Sequence, residues 1–300
     1  MSGPAIDVVY TWVDGERPEY RALYGRYAKT ALDLNPERYR DVYEMLKYSL
    51  RSLDRYAPWV RDVYLLTCRP QVPDWLKVDH PRVHVVHHDE VIDERYLPTF
   101  SCNVIESYLH NVPSGSEYLL YMNDDYLFGR ETSRDDVLTA DARIRVYGTL
   151  CGEHFRFRVY DGRHNVVSTA FLEHVPVLIY KPFWREMLAL REDELHRTRE
   201  NRFRQDGDLR MERLYRYHLL AHRREHTDVV PAFRYLPYYQ FHKITNRPAR
   251  QRAGLERLRR KRPKFFCLND DQGDRPHPEV VRLTQEFLAD YFPARSPYEK

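Results

Sequence analysis

The sequence lacks the features that mark a disulfide scaffold, a zinc finger or a membrane-spanning protein. Its four cysteines, at positions 68, 102, 151 and 267, are widely spaced and form no CxxC pair. This spacing indicates neither a disulfide framework nor a structural zinc site. No apolar run approaches the ~20 residues that cross a bilayer, and the first five residues do not resemble a signal peptide. We therefore expect a soluble, cytoplasmic protein, with peripheral membrane association left open.

The sequence also lacks a large excess of charge of one sign. Its 300 residues carry a formal net charge of +3, with 31% charged and 42% hydrophobic residues. A globular protein with this balance is not expected to bind nucleic acid. Residues 247–264 are strongly basic. We interpret them first as a solvated helix or loop, and second as a contact for an acceptor or a polyanion.

The familiar phosphate-binding loops are absent as well. The sequence contains neither GxGxxG nor GxxxxGK[ST], so neither a dinucleotide fingerprint nor a P-loop is available to hold phosphates. A divalent cation is the remaining way to bind phosphates. Mg²⁺ binds to proteins through one or two carboxylates and completes its shell with waters and substrate phosphates.

Short apolar runs alternate with helical patterns through residues 6–128. The patterns predict strands at 6–13, 63–67, 83–86 and 118–122 and helices at 41–56 and 99–110. Asp41 is the predicted N-cap of the first helix. The order strand, helix, strand, strand, helix, strand favours an α/β fold with a Rossmann-like, mostly parallel sheet.

The second half of the chain is predicted to add helices and a β-ribbon. Alternating runs occupy residues 142–160, and helical patterns are centred on 181–195, 209–222 and 278–292. Residues 15–37 are rich in tyrosine but have no clear period.

Three polar side chains end the apolar strand in the segment YLLYMNDDYLFGR, residues 118–130. They are Asn123, Asp124 and Asp125. Ligands of open α/β sheets bind outside the carboxyl ends of the strands, and adjacent carboxylates beside a buried strand need a cation, hydrogen bonds or water. A turn stabilised by Asx side chains explains the same letters. From these letters alone, a metal site and a simple turn are about equally favoured.

Two other strand ends carry acidic residues. The first predicted strand ends at Asp14, which either contacts a ribose or base or satisfies the turn, and Trp12 is either a core residue or a stacking platform for a base. The sequence LNDD at residues 268–271 repeats the MNDD at 122–125. The two carboxylate pairs could therefore face one site.

Four blocks of the sequence resemble a known family. They are IDVVYTWVDG at 6–15, a long block from LKYSLRSLDRY to YLLYMNDDYLFG at 46–129, EHVPVLIYK at 173–181 followed by RQDGDL at 204–209, and KFFCLNDD at 264–271. They resemble the Stealth family, which includes bacterial capsule and exopolysaccharide sugar-phosphate transferases and the catalytic subunits of the animal N-acetylglucosamine-1-phosphotransferase. The resemblance covers nearly the whole chain and is weak in residues 130–163 and 227–262.

The resemblance implies transfer of a hexose-1-phosphate from a UDP-sugar to a hydroxyl of a glycan or other acceptor, with release of UMP. It implies Mg²⁺ or Mn²⁺ as cofactor. It also implies a single catalytic domain over residues 1–300, in which 1–130 bind the nucleotide sugar on a core similar to nucleotide-sugar transferases and 131–300 complete the active site. The catalytic residues carried over from the family motifs are Asp124, Asp125, His174, Arg204 and Asp208.

The chemistry of phosphoryl transfer suits these residue types, because the reaction depends mainly on positioning and charge neutralisation. His174 is a candidate general base, with Asp125 as the rival, and Arg204 suits a bidentate contact with the diphosphate. The candidate substrate contacts are Trp12, Asp14, Arg51 and Asn123, and the candidate metal ligands are Asp125, Asn269, Asp270 and Asp271. A metal-dependent glycosyltransferase that releases UDP and a non-catalytic polyanion-binding protein remain as alternatives.

Overall fold

Ten strands form three sheets within the described residues, which are 3–30, 39–148, 173–230 and 239–300 of this computed structural model. The strands are β1 (Ile6–Trp12), β2 (Val63–Thr67), β3 (Val83–His87), β4 (Tyr118–Asn123), β5 (Tyr126–Phe128), β6 (Ile144–Tyr147), β7 (Val177–Tyr180), β8 (Thr227–Val230), β9 (Tyr239–Ile244) and β10 (Phe265–Asp270). The α-helices are α1 (Pro18–Tyr27), α2 (Met45–Tyr56), α3 (His88–Val91), α4 (Cys102–Glu106), α5 (Lys181–Ala189), α6 (Glu192–Arg199), α7 (Met211–His222), α8 (Pro248–Lys261) and α9 (Pro278–Tyr291).

The largest sheet has the strand order β3-β2-β1-β4-β7. Its first four strands are parallel, and β7 runs antiparallel to β4. The chain moves outward from β1 to β3 on one side and then crosses to β4 on the other side of β1, so the strand order reverses between β1 and β4. This topology confirms the predicted Rossmann-like α/β fold with a mostly parallel sheet. Ligands of such folds bind outside the strand carboxyl ends at the reversal point.

The central strands are buried on both faces, as expected for a parallel sheet. Val9 in β1 and Leu120 in β4 are 0% exposed. Helix α2 packs against β5, and its side chains Leu46, Leu50 and Leu53 are buried at helical spacing. Burial of each such side chain contributes about 2 kcal/mol of hydrophobic stabilisation.

A second sheet, with the strand order β5-β10-β9, begins directly after β4. Strand β5 follows the Asp124–Asp125 turn directly and pairs antiparallel with β10, and β10 pairs in parallel with β9. The Leu268 amide donates a hydrogen bond of 3.1 Å to the carbonyl of Asp125. This pairing brings residues 269–271, at the end of β10, next to the turn that follows β4.

The helix predicted at residues 41–56 begins later than predicted. Helix α2 begins at Met45, and its N-cap Glu44 has a left-handed backbone with φ 51°. Asp41 is therefore not the N-cap; its carboxylate accepts a hydrogen bond of 3.1 Å from the Trp12 indole. Val42, placed on the inward face by the sequence pattern, is 37% exposed. Helical periodicity cannot locate a helix start when the preceding polar residue makes a tertiary contact instead of a cap.

Other helix predictions were incomplete. The predicted helix at 99–110 contains α4 and then a separate 3-10 turn, Leu109–Asn111, and the pattern at 181–195 divides into α5 and α6. Helix α1 was missed because its inward face consists of Tyr20 and Tyr24, which are buried but gave no clear apolar period.

The basic segment 247–264 is largely helical. Helix α8 occupies most of it, which agrees with a solvated helix, and its Arg259 pairs with Asp290 at 2.9 Å. Of the predicted β-ribbon at 142–160, β6 is described, and residues 149–160 lie outside the described residues. Among the described residues no helix has the length and apolarity needed to cross a membrane. The single catalytic domain stays a prediction.

Candidate active site

A cleft opens at the carboxyl ends of β1 and β4, where the strand order reverses. It consists of two cavities of about 430 Å³ and 510 Å³ that share the lining residues Cys102, Asn123, His174 and Arg204. The first cavity, the strand-end lobe, is also lined by Trp12, Asp124, Asp125 and residues 268–271. The second, the loop lobe, is also lined by Glu106, Tyr126, Glu212 and residues 205–208. Both halves of the chain thus contribute to one cleft.

Asp124 and Asp125 occupy the turn between β4 and β5. Desolvation raises the pKa of Asp124 well above its ordinary value, and the charges of Asp125 and Asp41 raise it further. Desolvation also raises the pKa of Asp125, while the charge of His174 opposes this shift. Because the ionised forms of both groups are disfavoured, the turn is a place where a cation would be bound favourably.

The raised pKa of Asp124 predicts a pH-dependent stability effect. In the folded state its pKa lies above the value in the unfolded chain, so stability is fully present below the unfolded pKa of about 3.9 and is lost as pH rises through the folded pKa. With metal chelated, we expect Asp124→Asn to be more stable than the wild type at pH 7 and to lose this advantage near pH 4. Urea denaturation at both pH values measures it, and a less stable variant at pH 7 would contradict it.

One carboxylate oxygen of Asp125 belongs to a small polar cluster. It accepts hydrogen bonds from the Cys267 thiol at 3.2 Å and from the Asn269 amide at 3.4 Å. A ring nitrogen of His174, a carboxylate oxygen of Asp125 and the sulfur of Cys267 all lie within 4.8 Å of one another. Sequence reasoning missed Cys267. The available signal was its position two residues before Asn269, which places both side chains on one face of β10.

His174 lies just before β7 with an unusual backbone conformation. Its φ is 57°, in the left-handed region that few residues other than glycine adopt. Its ring packs against Phe241 at 4.9 Å and Tyr126 at 6.1 Å between centroids. Strained backbone of this kind is concentrated at functional sites. The structure brings this candidate base beside Asp125 and onto the wall that the two lobes share.

Asn123 is held at the floor of the cleft by three hydrogen bonds. Its Oδ1 accepts from the hydroxyls of Thr11 at 3.1 Å and Tyr121 at 2.8 Å, and its Nδ2 donates to the Tyr126 hydroxyl at 3.2 Å. The Cα atoms of Thr11 and Asn123 are partners in the β1–β4 register. The Thr11 bond ties β1 to β4 at the reversal point.

Arg204 and Asp208 lie in the loop between α6 and α7. Arg204 is exposed to the cleft and lines both lobes. The carboxylate of Asp208 accepts a hydrogen bond from the Asn201 side chain at 2.7 Å and another from the Gln205 backbone at 2.8 Å. Asp208 is 5% exposed. It therefore orders the loop that presents Arg204, whereas Arg204 itself is placed to contact a ligand.

Two acidic residues of the loop lobe were missed by sequence reasoning. Glu106 accepts a hydrogen bond of 3.1 Å from the Tyr121 hydroxyl. Desolvation and the charge of Glu212 raise its pKa to about 8, while the charge of Arg204 opposes the shift. Desolvation also raises the pKa of Glu212, although the Arg216 guanidinium lies 3.2 Å away. No sequence pattern marked Glu106, because the inward face of the predicted helix at 99–110 consists of Ile105, Tyr108 and Leu109.

Asp270 and Asp271 line the strand-end lobe together with Asp124 and Asp125. Asp270 pairs with the Arg40 guanidinium at 2.8 Å, and these side chains are 11% and 6% exposed. Asp271 pairs with the Lys243 ammonium at 2.7 Å and is more exposed. The structure thus places both carboxylate pairs on one lobe. If Asp270 also bound a metal ion, its carboxylate would have to interact with the ion and with Arg40 at the same time.

Two predicted substrate contacts are also engaged in protein contacts. Trp12 lines the strand-end lobe but is only 5% exposed, and its indole nitrogen is bonded to Asp41. Asp14 lines neither lobe. Its carboxylate accepts a hydrogen bond of 3.0 Å from the Glu16 amide and lies 3.4 Å from the Arg17 guanidinium. The contacts of Asp14 therefore agree with the turn interpretation, and Trp12 forms part of the cleft wall.

Arg51, a predicted substrate contact, lines neither lobe of the cleft and is engaged elsewhere. Its guanidinium binds both carboxylate oxygens of Glu299, at 2.9 and 2.7 Å, and the carbonyl of Phe292 at 2.9 Å. The side chains of Arg51 and Glu299 are 11% and 2% exposed. Arg51 therefore anchors the last residues of the described chain against α2.

We expect Arg51→Ala to lower the free energy of unfolding by about 3 kcal/mol, because it leaves a buried carboxylate without its partner. The Michaelis constant for the UDP-sugar donor that the resemblance implies should not change. Urea denaturation and donor kinetics measure the two effects. Arg69→Ala, which removes an exposed pair with Asp89 and Glu90, is the control and should change neither. A raised Michaelis constant for that donor at unchanged stability would support the substrate role.

Comparison with known proteins identifies the family. Residues 38–146 match conserved region 2 of the Stealth proteins, and residues 256–300 match conserved region 4, which together make up just over half of the chain. The chain belongs to the Stealth family. The region 2 match includes the Asp124–Asp125 turn, and the region 4 match includes Cys267 and residues 269–271. Both Stealth regions therefore meet at the strand-end lobe.

Two Stealth relatives align with almost all of this chain. An exopolysaccharide phosphotransferase of Streptomyces coelicolor is 33% identical over 98% of the chain and 51% of its own length. The exopolysaccharide phosphotransferase CpsY of Mycobacterium tuberculosis is 31% identical over 98% of the chain and 58% of its own length. This chain thus spans about half the length of the curated relatives that it matches. A solved structure of an LgtC active-site mutant covers 95% of each chain at 10% identity, with a TM-score of 0.46.

The candidate metal ligands of this Stealth chain fit a hard divalent cation. Among the described residues, neither Asp124 nor Asp125 forms an ion pair with a lysine or arginine, and desolvation disfavours the charge of both. Asn269 and Asp270 add oxygen atoms to the same lobe. Carboxylate and amide oxygens are the ligands that Mg²⁺ takes in proteins. The strand-end lobe therefore matches the cofactor that the family resemblance implies.

Proposed function

We propose that this Stealth protein transfers a hexose-1-phosphate from a UDP-sugar to a hydroxyl of a glycan acceptor and releases UMP, in the synthesis of an exopolysaccharide or capsule. The observation that carries the proposal is the meeting of Asp124, Asp125, His174 and Arg204 at one cleft, at the reversal point of the sheet. The names of the relatives as exopolysaccharide phosphotransferases support the reaction class.

The strand-end lobe is the proposed donor site. A diphosphate carries two or more negative charges, and Arg204 on the shared wall offers two parallel N–H groups to its oxygens. When bound, Mg²⁺ or Mn²⁺ would be held by Asp124 and Asp125, with Asn269 or Asp270 as further oxygen ligands, and would neutralise the remaining charge of the diphosphate. Trp12 would then close the lobe behind the nucleotide.

The loop lobe is the proposed acceptor site. Its lining combines the carboxyl groups of Glu106 and Glu212 with the guanidinium groups of Arg210 and Arg213. Carboxyl groups accept hydrogen bonds and, when protonated, also donate them, and guanidinium groups donate them. Together they match a sugar, whose hydroxyls do both. An acceptor in this lobe would direct one hydroxyl toward the wall shared with the donor site.

His174 is the proposed general base at this shared wall. It lies between the two lobes, where an acceptor hydroxyl would approach the β-phosphorus of the donor, and its ring orientation is fixed by Phe241 and Tyr126. Asp125 is the rival base, but one of its oxygens already accepts two hydrogen bonds. A negative Asp125 would instead stabilise the proton that His174 takes from the acceptor.

An isotope experiment tests which bond of the donor breaks. Attack on the β-phosphorus leaves the bond between sugar C1 and oxygen intact, so the anomeric configuration of the donor is kept. With heavy oxygen between C1 and the β-phosphorus, we expect all of the label in the sugar-phosphate diester and unlabelled UMP. Mass spectrometry of both products measures this distribution. Label in released UDP would show a glycosyltransferase instead, and no nucleotide release would favour a binding protein.

A further inference from the structure

We propose that Asp125, His174 and Cys267 form a second metal site, selective for a thiolate-binding divalent cation such as Zn²⁺, and that its occupancy inhibits transfer. The existence of the site follows from the geometry of these three residues. The inhibition rests on the proposed function, because it requires Asp125 and His174 to take part in the reaction.

The three side chains are close enough to share one ion. Their ligand atoms lie within 4.8 Å of one another, and the distance between Asp125 and the Cys267 sulfur is 3.2 Å. Ligand atoms of tetrahedral Zn²⁺ are separated by roughly 3.3–3.8 Å, since the bonds measure about 2.0–2.3 Å. The Asp125–Cys267 pair lies just short of this range, and a shift of about 1 Å in the His174 ring brings in the third atom.

The ligand chemistry separates this site from the carboxylate site of the same lobe. One thiol, one imidazole and one carboxylate form a set that Zn²⁺ accepts and that Mg²⁺, which takes oxygen ligands, does not. The Cys267 thiol gives its proton to solvent when the ion binds, and His174 binds as neutral imidazole. Three protein ligands leave the fourth position for water or a substrate oxygen.

The position of the site explains why Zn²⁺ would inhibit. Asp125 belongs to both ligand sets, so Zn²⁺ at the thiol site withdraws it from the oxygen-ligated cation. The same ion takes the lone pair of His174 that would accept the proton of the acceptor. One bound Zn²⁺ thus removes two of the proposed catalytic groups, while Asp124 and Arg204 remain in place.

Cobalt spectroscopy tests the site without any assay of activity. Chelator-treated protein of residues 1–300 is titrated with Co²⁺. We expect the near-ultraviolet thiolate-to-cobalt absorption to saturate at one equivalent and to disappear when Zn²⁺ displaces Co²⁺. Cys267→Ser should abolish the absorption and weaken Zn²⁺ binding by on the order of 10²-fold. The matched control is Cys102→Ser, which removes a thiol that lines the cleft but lies outside the cluster. It should retain both the absorption and the Zn²⁺ affinity.

The outcomes distinguish the site from the proposed function. Absorption that persists in Cys267→Ser, or the absence of saturable binding in the wild type, overturns the site. If Cys267→Ser does not fold, His174→Gly replaces it; this variant should keep the thiolate absorption but weaken Zn²⁺ binding by a similar factor, and unchanged binding overturns the site. Zn²⁺ binding without inhibition of UMP release overturns the inhibitory role. Binding in a chain that releases no UMP under any condition supports the site and contradicts the proposed function.

Discussion

Asp125→Asn should lower the rate of transfer at saturating donor by about 10²–10⁴-fold while leaving the protein folded. The substitution keeps the size of the side chain and its ability to accept the hydrogen bonds of Cys267 and Asn269, but it removes the negative charge. That charge is proposed to hold the divalent cation and to stabilise protonated His174. The initial rate of UMP release measures the loss.

The matched control is Asp89→Asn, which neutralises an exposed carboxylate paired with Arg69 and should turn over at the wild-type rate. Thermal unfolding with and without Mg²⁺ provides a second readout. A cation that binds only the folded state stabilises it by mass action, so the gain on adding Mg²⁺ should be smaller in Asp125→Asn than in the wild type. A folded variant with near wild-type turnover would remove Asp125 from the mechanism.

The positions of the parallel strands along the chain and the position of the cleft could be predicted from local sequence. Strands β2 and β4 are largely apolar runs, because they are buried on both faces, and such a run is visible without knowledge of its neighbours. The polar letters after β4 then mark the end of the strand, and the rule for open α/β sheets places the ligand there. Asn123, Asp124 and Asp125 therefore required only local information.

Contacts between distant segments explain most of what the sequence did not show. Asp41 fits a helix cap by its position, but the Trp12 indole, 29 residues away, engages it. Arg51 has the chemistry of a phosphate ligand, and only the folded chain reveals that Glu299 already binds it, 248 residues away. No pattern with the period of a helix or strand contains these pairings.

The resemblance to a family supplied residues that periodicity could not. His174 and Arg204 lie in loops, where no repeating pattern distinguishes a functional residue from a surface one. Their meeting with Asp125 depends on β7 pairing with β4 and on the loop that Asp208 orders. Cys267 and Glu212 stayed hidden because a buried thiol and a helical glutamate have ordinary explanations until the cleft is seen around them.

His174→Gly should lower the rate of transfer by on the order of 10²–10⁴-fold with little change in the donor Michaelis constant. Glycine is the matched replacement because the backbone at this position has φ 57°, which glycine adopts without strain, whereas alanine would add strain to the loss of the ring. The variant therefore separates the chemistry of the imidazole from the conformation of the loop. Rates of UMP release over a range of donor concentrations measure both parameters.

Added imidazole distinguishes a base from a phosphate contact at this position. His174→Gly leaves a space beside Phe241 and Tyr126, where free imidazole can enter and accept the acceptor proton. If His174 is the base, imidazole should restore part of the rate in proportion to the concentration of its neutral form. If His174 instead binds the diphosphate, the donor Michaelis constant should rise while the maximal rate changes little, and only the cationic form of imidazole should help. The control is His84→Gly, which removes a partly exposed ring beside Asp62. This variant should show neither a loss of rate nor a rescue by imidazole. A response shared by both variants would show that imidazole acts as a buffer in solution and not in the cleft.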